Sequence, residues 1–179
     1  MGKATQDLRK EHEAILHVLS ILDQMLQSKK GEEALLQDFS EVVAFLKTFA
    51  DKCHHGKEEN YLFQALLRKG IRNEGGPVGA MLAEHDQGRG FIAQMSRSLE
   101  NKDIQSFSQA AAQYCDLLRS HIDRENNVLF QLADKVLGGQ EQDLLFDKFE
   151  QHEETAIGHG VHDKLHAMIS EWEKEYGME

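Results

Sequence analysis

A single proline, Pro77, stands among 179 residues, so almost nothing interrupts helices in this chain. Four long segments repeat apolar residues every three or four positions. Leu8, Ile15, Leu19, Leu22 and Leu26 carry the first stripe, and Phe39, Val43, Leu46, Ala50, Leu62 and Ala65 the second. Val78, Leu82, Ile92 and Met95 carry the third, which Pro77 opens at a helix start. Ile104, Phe107, Ala111, Tyr114, Leu118, Val128 and Leu132 carry the fourth. These are inward faces of helices, without the period-two alternation of strands. Breaks fall at Lys29-Lys30-Gly31, from Gly70 to Pro77, at Asn101-Lys102-Asp103 and at Gly138-Gly139. Short connections make neighbouring helices antiparallel, which predicts an all-α, up-down-up-down four-helix bundle over residues 1–138. Residues 139–179 read as a helical extension that packs on the bundle as a cap. It comprises a short amphipathic helix from Gln140 to Glu153, a break at Gly158-His159-Gly160, and a last helix carrying Val161, Leu165, Met168 and Trp172.

Polar residues interrupt the stripes. His12, His54, Glu58, His85, Arg89, His121 and Glu125 all fall on the faces that should be buried. A buried carboxylate left charged and unpaired costs several kcal/mol or more, so Glu58 and Glu125 require a partner. Residues four apart lie one above the other on a helix, so His54/Glu58 and His121/Glu125 each aim two ligand-type groups inward.

The two pairs belong to an internal repeat. His54-x-x-x-Glu58-x-x-x-Leu62-Phe63-Gln64 matches His121-x-x-x-Glu125-x-x-x-Leu129-Phe130-Gln131, with Asn60 and Asn127 in equivalent places. Each copy follows a helix bearing one inward histidine, His12 or His85. At about 1.5 Å of rise per residue, His12 and His85 lie roughly 10 Å into their helices and the two pairs roughly 20 Å before the ends of theirs. Antiparallel packing brings those positions within about two turns of one another. Four imidazoles and two carboxylates therefore converge inside the bundle. That donor set suits first-row metals, and bundle interiors are where carboxylate-bridged di-iron or di-manganese sites are built. Two bridging carboxylates with two histidines per metal leave open positions for a small molecule.

Composition removes other function classes. The net charge of −11 repels nucleic-acid phosphates and anionic lipid headgroups, and no apolar run approaches membrane-spanning length. The segment MGKATQDLRKEHE has no apolar core of a secretory leader, and two cysteines, Cys53 and Cys115, make no disulfide framework. An intracellular, cytoplasmic protein with reduced thiols is the expectation. No Ser/His/Asp arrangement or glycine-rich phosphate loop is present.

From Leu8 to Leu137 the chain resembles a hemerythrin-like (HHE cation-binding) domain of the bacterial type. The H…HxxxE…H…HxxxE pattern and the segments HHGKEENYLF and EHDQGR carry the resemblance. It implies a non-heme centre of two Fe ions, with or without an oxo or hydroxo bridge, that binds or redox-processes O2, peroxide or nitric oxide. Zinc or manganese would suit the same donors, and an iron store or donor is the non-enzymatic alternative; an enzyme of this kind would be an oxidoreductase. The implied ligands are His12, His54, His85 and His121, with Glu58 and Glu125 as bridges, in a monomer or homodimer. Two departures bear on function. Respiratory hemerythrin has a second histidine where Arg89 stands, and ends its fourth-helix motif in HxxxxD rather than HxxxE. The expectation is altered coordination at one iron. Arg89 would then pair with a bridging carboxylate or direct an anionic oxygen species at the metal.

Other residues carry plainer readings. His55 and Glu59 project about 100° from the ligand pair and read as exposed, as outer partners of the ligands or as extra ligands. Tyr114, two turns before His121 on the same stripe, is a candidate phenolate ligand or hydrogen-bonding neighbour. His17 lies off its stripe and reads as exposed, and the cysteines as small core residues. His152, His159, His162 and His166 concentrate four imidazoles near the end. The favoured reading there is a solvated acidic helix. The alternative is that His162/His166 or Glu153 folds over the site as a gate or as a substitute for the missing histidine.

Overall fold

The computed structural model describes residues 1–178 as six helices, with no strand among them. Helix α1 spans Lys3–Gln27. Helix α2 begins at Glu32–Phe45, passes through wide turns at Leu46–His55 and Glu58–Leu62, and ends at Phe63–Arg68. Helix α3 spans Pro77–Glu100 with its proline in the first turn, where the missing N–H costs nothing. Helix α4 runs from Ile104–Arg124 through a wide turn at Glu125–Leu129 into Phe130–Val136. Its start is capped by Asp103, whose side chain accepts from the Ser106 N–H at 3.0 Å. Helices α5 (Gly139–Ala156) and α6 (Val161–Tyr176) follow, joined through Gly160 at φ 74°, a left-handed conformation that favours glycine.

The wide turns are π-helical. The N–H of Gly56 bonds the Asp51 carbonyl, that of Phe63 the Glu58 carbonyl, and that of Phe130 the Glu125 carbonyl, each five residues back. Such insertions rotate the residues that follow them and are concentrated at functional sites. Here they flank the two HxxxE pairs.

Two apolar clusters fill the interior with a polar layer between them. The proximal one includes Leu8, Leu62, Phe63, Leu66 and Phe130. The distal one includes Leu22, Phe39, Phe45, Phe49 and Phe107, with Phe39 and Phe107 stacked at 4.3 Å. Along every bundle helix the order is apolar, ligand-type, apolar, so the polar residues meet at one level. The extension lies along the bundle's flank rather than across its end. Leu145 and Phe149 of α5 join the proximal cluster, while Leu165, Ile169 and Trp172 of α6 join the distal one. Helix α5 comes close enough to α2 that a Cβ on Gly56 would sit 2.5 Å from His152 Nε2, the atom that donates to the Lys52 carbonyl at 3.0 Å.

Phe107 is fully buried in the distal cluster. Phe107→Ala is expected to cost about 3–5 kcal/mol of unfolding free energy, read from denaturant midpoints. A loss under about 1 kcal/mol would mean that the cluster closes around the gap.

Candidate metal centre

The polar layer contains five histidines rather than four. His12, His54, His85 and His121 are each 1% exposed, and His55 is only 4% exposed. His55 stacks on His85 with ring centroids 3.8 Å apart. Of the readings open for His55, this removes the exposed one. That reading assumed regular α-helical rotation, whereas the π turn ending at His55 lets two consecutive side chains face the interior. Glu58 and Glu125 lie among the five rings at 0% exposure.

Every one of these histidines is held through Nδ1. His12 meets Asn126 Oδ1 at 2.9 Å, His54 meets Glu11 Oε2 at 2.8 Å, and His55 meets Asp51 Oδ1 at 3.2 Å. His85 meets Glu59 Oε1 at 2.7 Å, and His121 meets Glu84 Oε2 at 2.8 Å. Carboxylate and amide oxygens only accept, so each Nδ1–H donates and each neutral ring presents its Nε2 lone pair inward. This anchoring is the arrangement that orients metal-ligating imidazoles.

The inward atoms crowd one another. His54 Nε2 lies 3.5 Å from Glu58 Oε1, and His85 Nε2 lies 3.3 Å from Glu58 Oε2. Glu125 Oε2 is 3.2 Å from His12 Nε2 and 3.3 Å from His121 Nε2. His85 Nε2 and His121 Nε2 are 3.1 Å apart. Two lone pairs at that distance repel unless a proton or cation lies between them. Both carboxylates, His12 Nε2 and His54 Nε2 are buried without a hydrogen-bond partner. Burial, and then the neighbouring Glu125 charge, push the Glu58 carboxyl well above its ordinary range. Burial likewise lowers His54 and His55, reinforced by His12 and His85 respectively, which favours the neutral ligand form. Cations between these atoms would satisfy all of them at once. The donors form two groups that share Glu58: His55, Glu58, His85 and His121, and His12, His54, Glu58 and Glu125. The ligand atoms within each group lie within 4.8 Å of one another. The residues present therefore fit a carboxylate-bridged pair of metal ions.

Arg89 reaches neither bridge candidate. Its guanidinium binds Asp51 at 2.9 Å, Glu59 at 2.7 Å and Asp86 at 3.0 Å. The first two of these are the anchors of His55 and His85, so Arg89 acts on those rings through their partners. This corrects the expectation of a direct pairing with Glu58 or Glu125. Burial acts to raise the Asp51 carboxyl, but the His55 and Arg89 hydrogen bonds hold it down at about 2. Tyr114 lies outside both donor groups and lines a cavity beside His55 and His85. Burial raises its phenol well above the ordinary value, which opposes the phenolate role.

The C-terminal residues stay outside the centre. Glu153 accepts from Lys57 Nζ at 2.6 Å, and Glu11 accepts from the same atom at 2.7 Å. His162 joins these two carboxylates in a third group, where Lys57 already supplies the cation. His162 and His166 instead flank Phe49, at 5.6 and 6.1 Å between centroids. His159 is exposed, and His17 is paired with Glu173 of α6 at 2.6 Å. Cys53 and Cys115 are buried, and burial pushes both thiols up to about 12.

Sequence reasoning named Glu59 among the possible outer partners and missed Glu11, Asp51, Glu84 and Asn126, although a signal for four of the five anchors exists. Glu11-His12 and Glu84-His85 are matching doublets, as are Glu58-Glu59 and Glu125-Asn126. Glu11 holds His54 and Glu84 holds His121, while Glu59 holds His85 and Asn126 holds His12. Each anchor thus serves a ring on a different helix, following the symmetry of the repeat.

A four-helix bundle with an interior His/Glu centre of this kind defines a class of metal-binding protein. The chain belongs to the hemerythrin family, matching the Hemerythrin HHE cation binding domain over residues 3–133. No curated protein matches the sequence.

Glu84 touches His121 only at the nitrogen that faces away from the centre. Glu84→Ala should lower metal affinity by about 10–100-fold in chelator competition while leaving the helical fold intact. His55→Ala should weaken binding further still. Unchanged affinity in His55→Ala would remove that residue from the ligand set.

Proposed function

We propose that the centre holds two iron ions and that the protein binds or redox-processes O2, peroxide or nitric oxide. The observation that carries this reading is the donor count. Five inward imidazole nitrogens, Glu58 shared by both donor groups and Glu125 as the second proposed bridge would supply about nine of the roughly twelve positions that two octahedral first-row ions offer. Positions would remain for a small ligand, and His55 and His85 border a cavity through which one could approach. When bound, the irons would supply electrons to, or accept them from, that ligand.

The protein's own residues set the conditions for this chemistry. Glu58 and Glu125 bring negative charge that offsets the ions in a water-poor layer. The five Nδ1 anchors keep each ring from turning as charge at the centre changes. The Arg89 guanidinium fixes Asp51 and Glu59, and through them the two rings that face the cavity. Leu62, Phe63, Leu129 and Phe130 on one side, with Leu118 and Ile122 on the other, exclude bulk water.

Metal analysis of aerobically purified protein, together with its near-ultraviolet and visible spectrum, tests the reading. About two irons per chain, with charge-transfer bands that shift on adding azide or peroxide, is the expected result. Catalytic loss of peroxide that disappears in Glu58→Ala would establish oxidant handling, and unchanged turnover in that variant would overturn the site assignment. Stoichiometric iron release to an acceptor without peroxide loss would indicate a donor. Zinc that persists after anaerobic iron loading, with no such bands, would remove the redox reading.

A further inference from the structure

The cavity beside His55 and His85 is far larger than a diatomic ligand requires. It measures about 520 Å³, within the roughly 300–1,000 Å³ typical of sites for organic ligands. One water's share of liquid volume, by contrast, is about 30 Å³. The cavity lies between α2 and α3 over Tyr114 of α4. Along α3 it runs from His85 past Gly88 and Ile92 to Arg97, a span of roughly 18 Å at the helical rise. On the antiparallel α2 it runs from His55 past Asp51 to Lys47.

The two ends differ in chemistry. At the inner end stand His55 and His85. The middle is bordered by Gly88, Ile92 and Tyr114. At the outer end lie two exposed cations, Lys47 and Arg97, neither of which has a carboxylate partner among the described residues. The remaining charges of the lining, Asp51 and Arg89, are paired with each other at 2.9 Å. In a chain of net charge −11, this outer end is locally positive. Ser96, also in the lining, has its hydroxyl oxygen buried with no hydrogen-bond partner. Ser20, Ser98 and Ser108 each bond back to the carbonyl four residues earlier, whereas Ser96 does not. An unsatisfied buried hydroxyl costs free energy that a ligand oxygen would recover.

We infer that this cavity binds an amphipathic organic anion. Its carboxylate meets Lys47 and Arg97, with Ser96 Oγ donating to an oxygen of the ligand. Its apolar body lies over Ile92, Gly88 and Tyr114, with the far end against the His55/His85 edge of the centre. The inference does not rest on the proposed centre, because Lys47, Arg97, Ser96, Ile92 and Tyr114, which would hold the anion and its apolar body, lie outside the donor groups.

Calorimetric titration of decanoate into the purified protein tests it, with decylamine as the cationic control and metal content measured on the same samples. Saturable one-to-one binding of decanoate, at least tenfold tighter than that of decylamine, is expected. Lys47→Glu/Arg97→Glu should weaken decanoate binding at least tenfold, and Ser96→Phe should abolish it by filling the cavity. Circular dichroism on each variant confirms the fold, and Lys47 and Arg97 are exposed enough for reversal to leave it intact. No saturable binding, or binding that both variants leave unchanged, overturns the inference. Decanoate binding to iron-free protein supports the cavity assignment even where metal analysis removes the di-iron reading. Full iron content without decanoate binding removes the cavity assignment alone.

Discussion

Two carboxylates at zero exposure, surrounded by imidazole nitrogens whose lone pairs point at them and at each other, create an electrostatic demand at the middle of the bundle. Neither apolar cluster can meet it, because a buried carboxylate without hydrogen bonds costs more than one side chain's packing recovers. Protonation meets it in part, as the upward shift of Glu58 indicates. Divalent cations meet it fully, since each would replace several repulsive contacts by bonds to donors already aimed at it. Metal binding free energy in such a site is also folding free energy.

Orientation comes from the ring of anchors, and those anchors also tie the helices together. Glu11 on α1 holds a ring on α2, Glu59 on α2 holds a ring on α3, Glu84 on α3 holds a ring on α4, and Asn126 on α4 holds a ring on α1. The circuit closes. A shift of any one bundle helix displaces an inward imidazole on the next, so geometry at the centre and packing of the bundle are one constraint. Lys57 extends that constraint to α5. Its side chain is fully buried, and its ammonium binds Asp7, Glu11 and Glu153 at 3.1, 2.7 and 2.6 Å. Burial acts to lower this ammonium, but Glu11 and Asp7 outweigh it and hold it above its ordinary value.

The bundle and the convergence of its six inward polar residues were legible because they rest on periodicity, and periodicity survives without coordinates. Leu8, His12 and Ile15 share a face on any α-helix, and the repeated HxxxE…LFQ marks the same level twice. The inward turn of His55 was not legible, for the complementary reason. Its inward position depends on a local departure from 3.6 residues per turn that no side-chain pattern announces. Periodicity puts Arg89 on an inward stripe but says nothing of its partners, and three carboxylates from α2 and α3 take it instead of Glu58 or Glu125. Glu11, Glu84 and Asn126 were hidden by cross-helix wiring. Glu11 adjoins His12 in the chain yet serves His54, so local sequence suggests a different partner from the one the fold supplies.

The repeat makes the two halves of the centre alike in donors, but their surroundings differ. The His12/His54 half is backed by Glu11, Lys57 and Glu153, a saturated ion cluster that α5 closes from outside. The His55/His85 half faces α3, where glycine at position 88 leaves the wall low and a Cβ would come only to 3.7 Å from Leu118 and Tyr114. The fifth histidine lies on this half, with Arg89 outside it on the partner carboxylates. A small or extended ligand thus meets the surroundings of one half of the centre before those of the other. The asymmetry comes from three local features: the π turn before Gly56, a glycine on α3 and a C-terminal helix against one flank. None of them alters the six donors that the repeat sets in place.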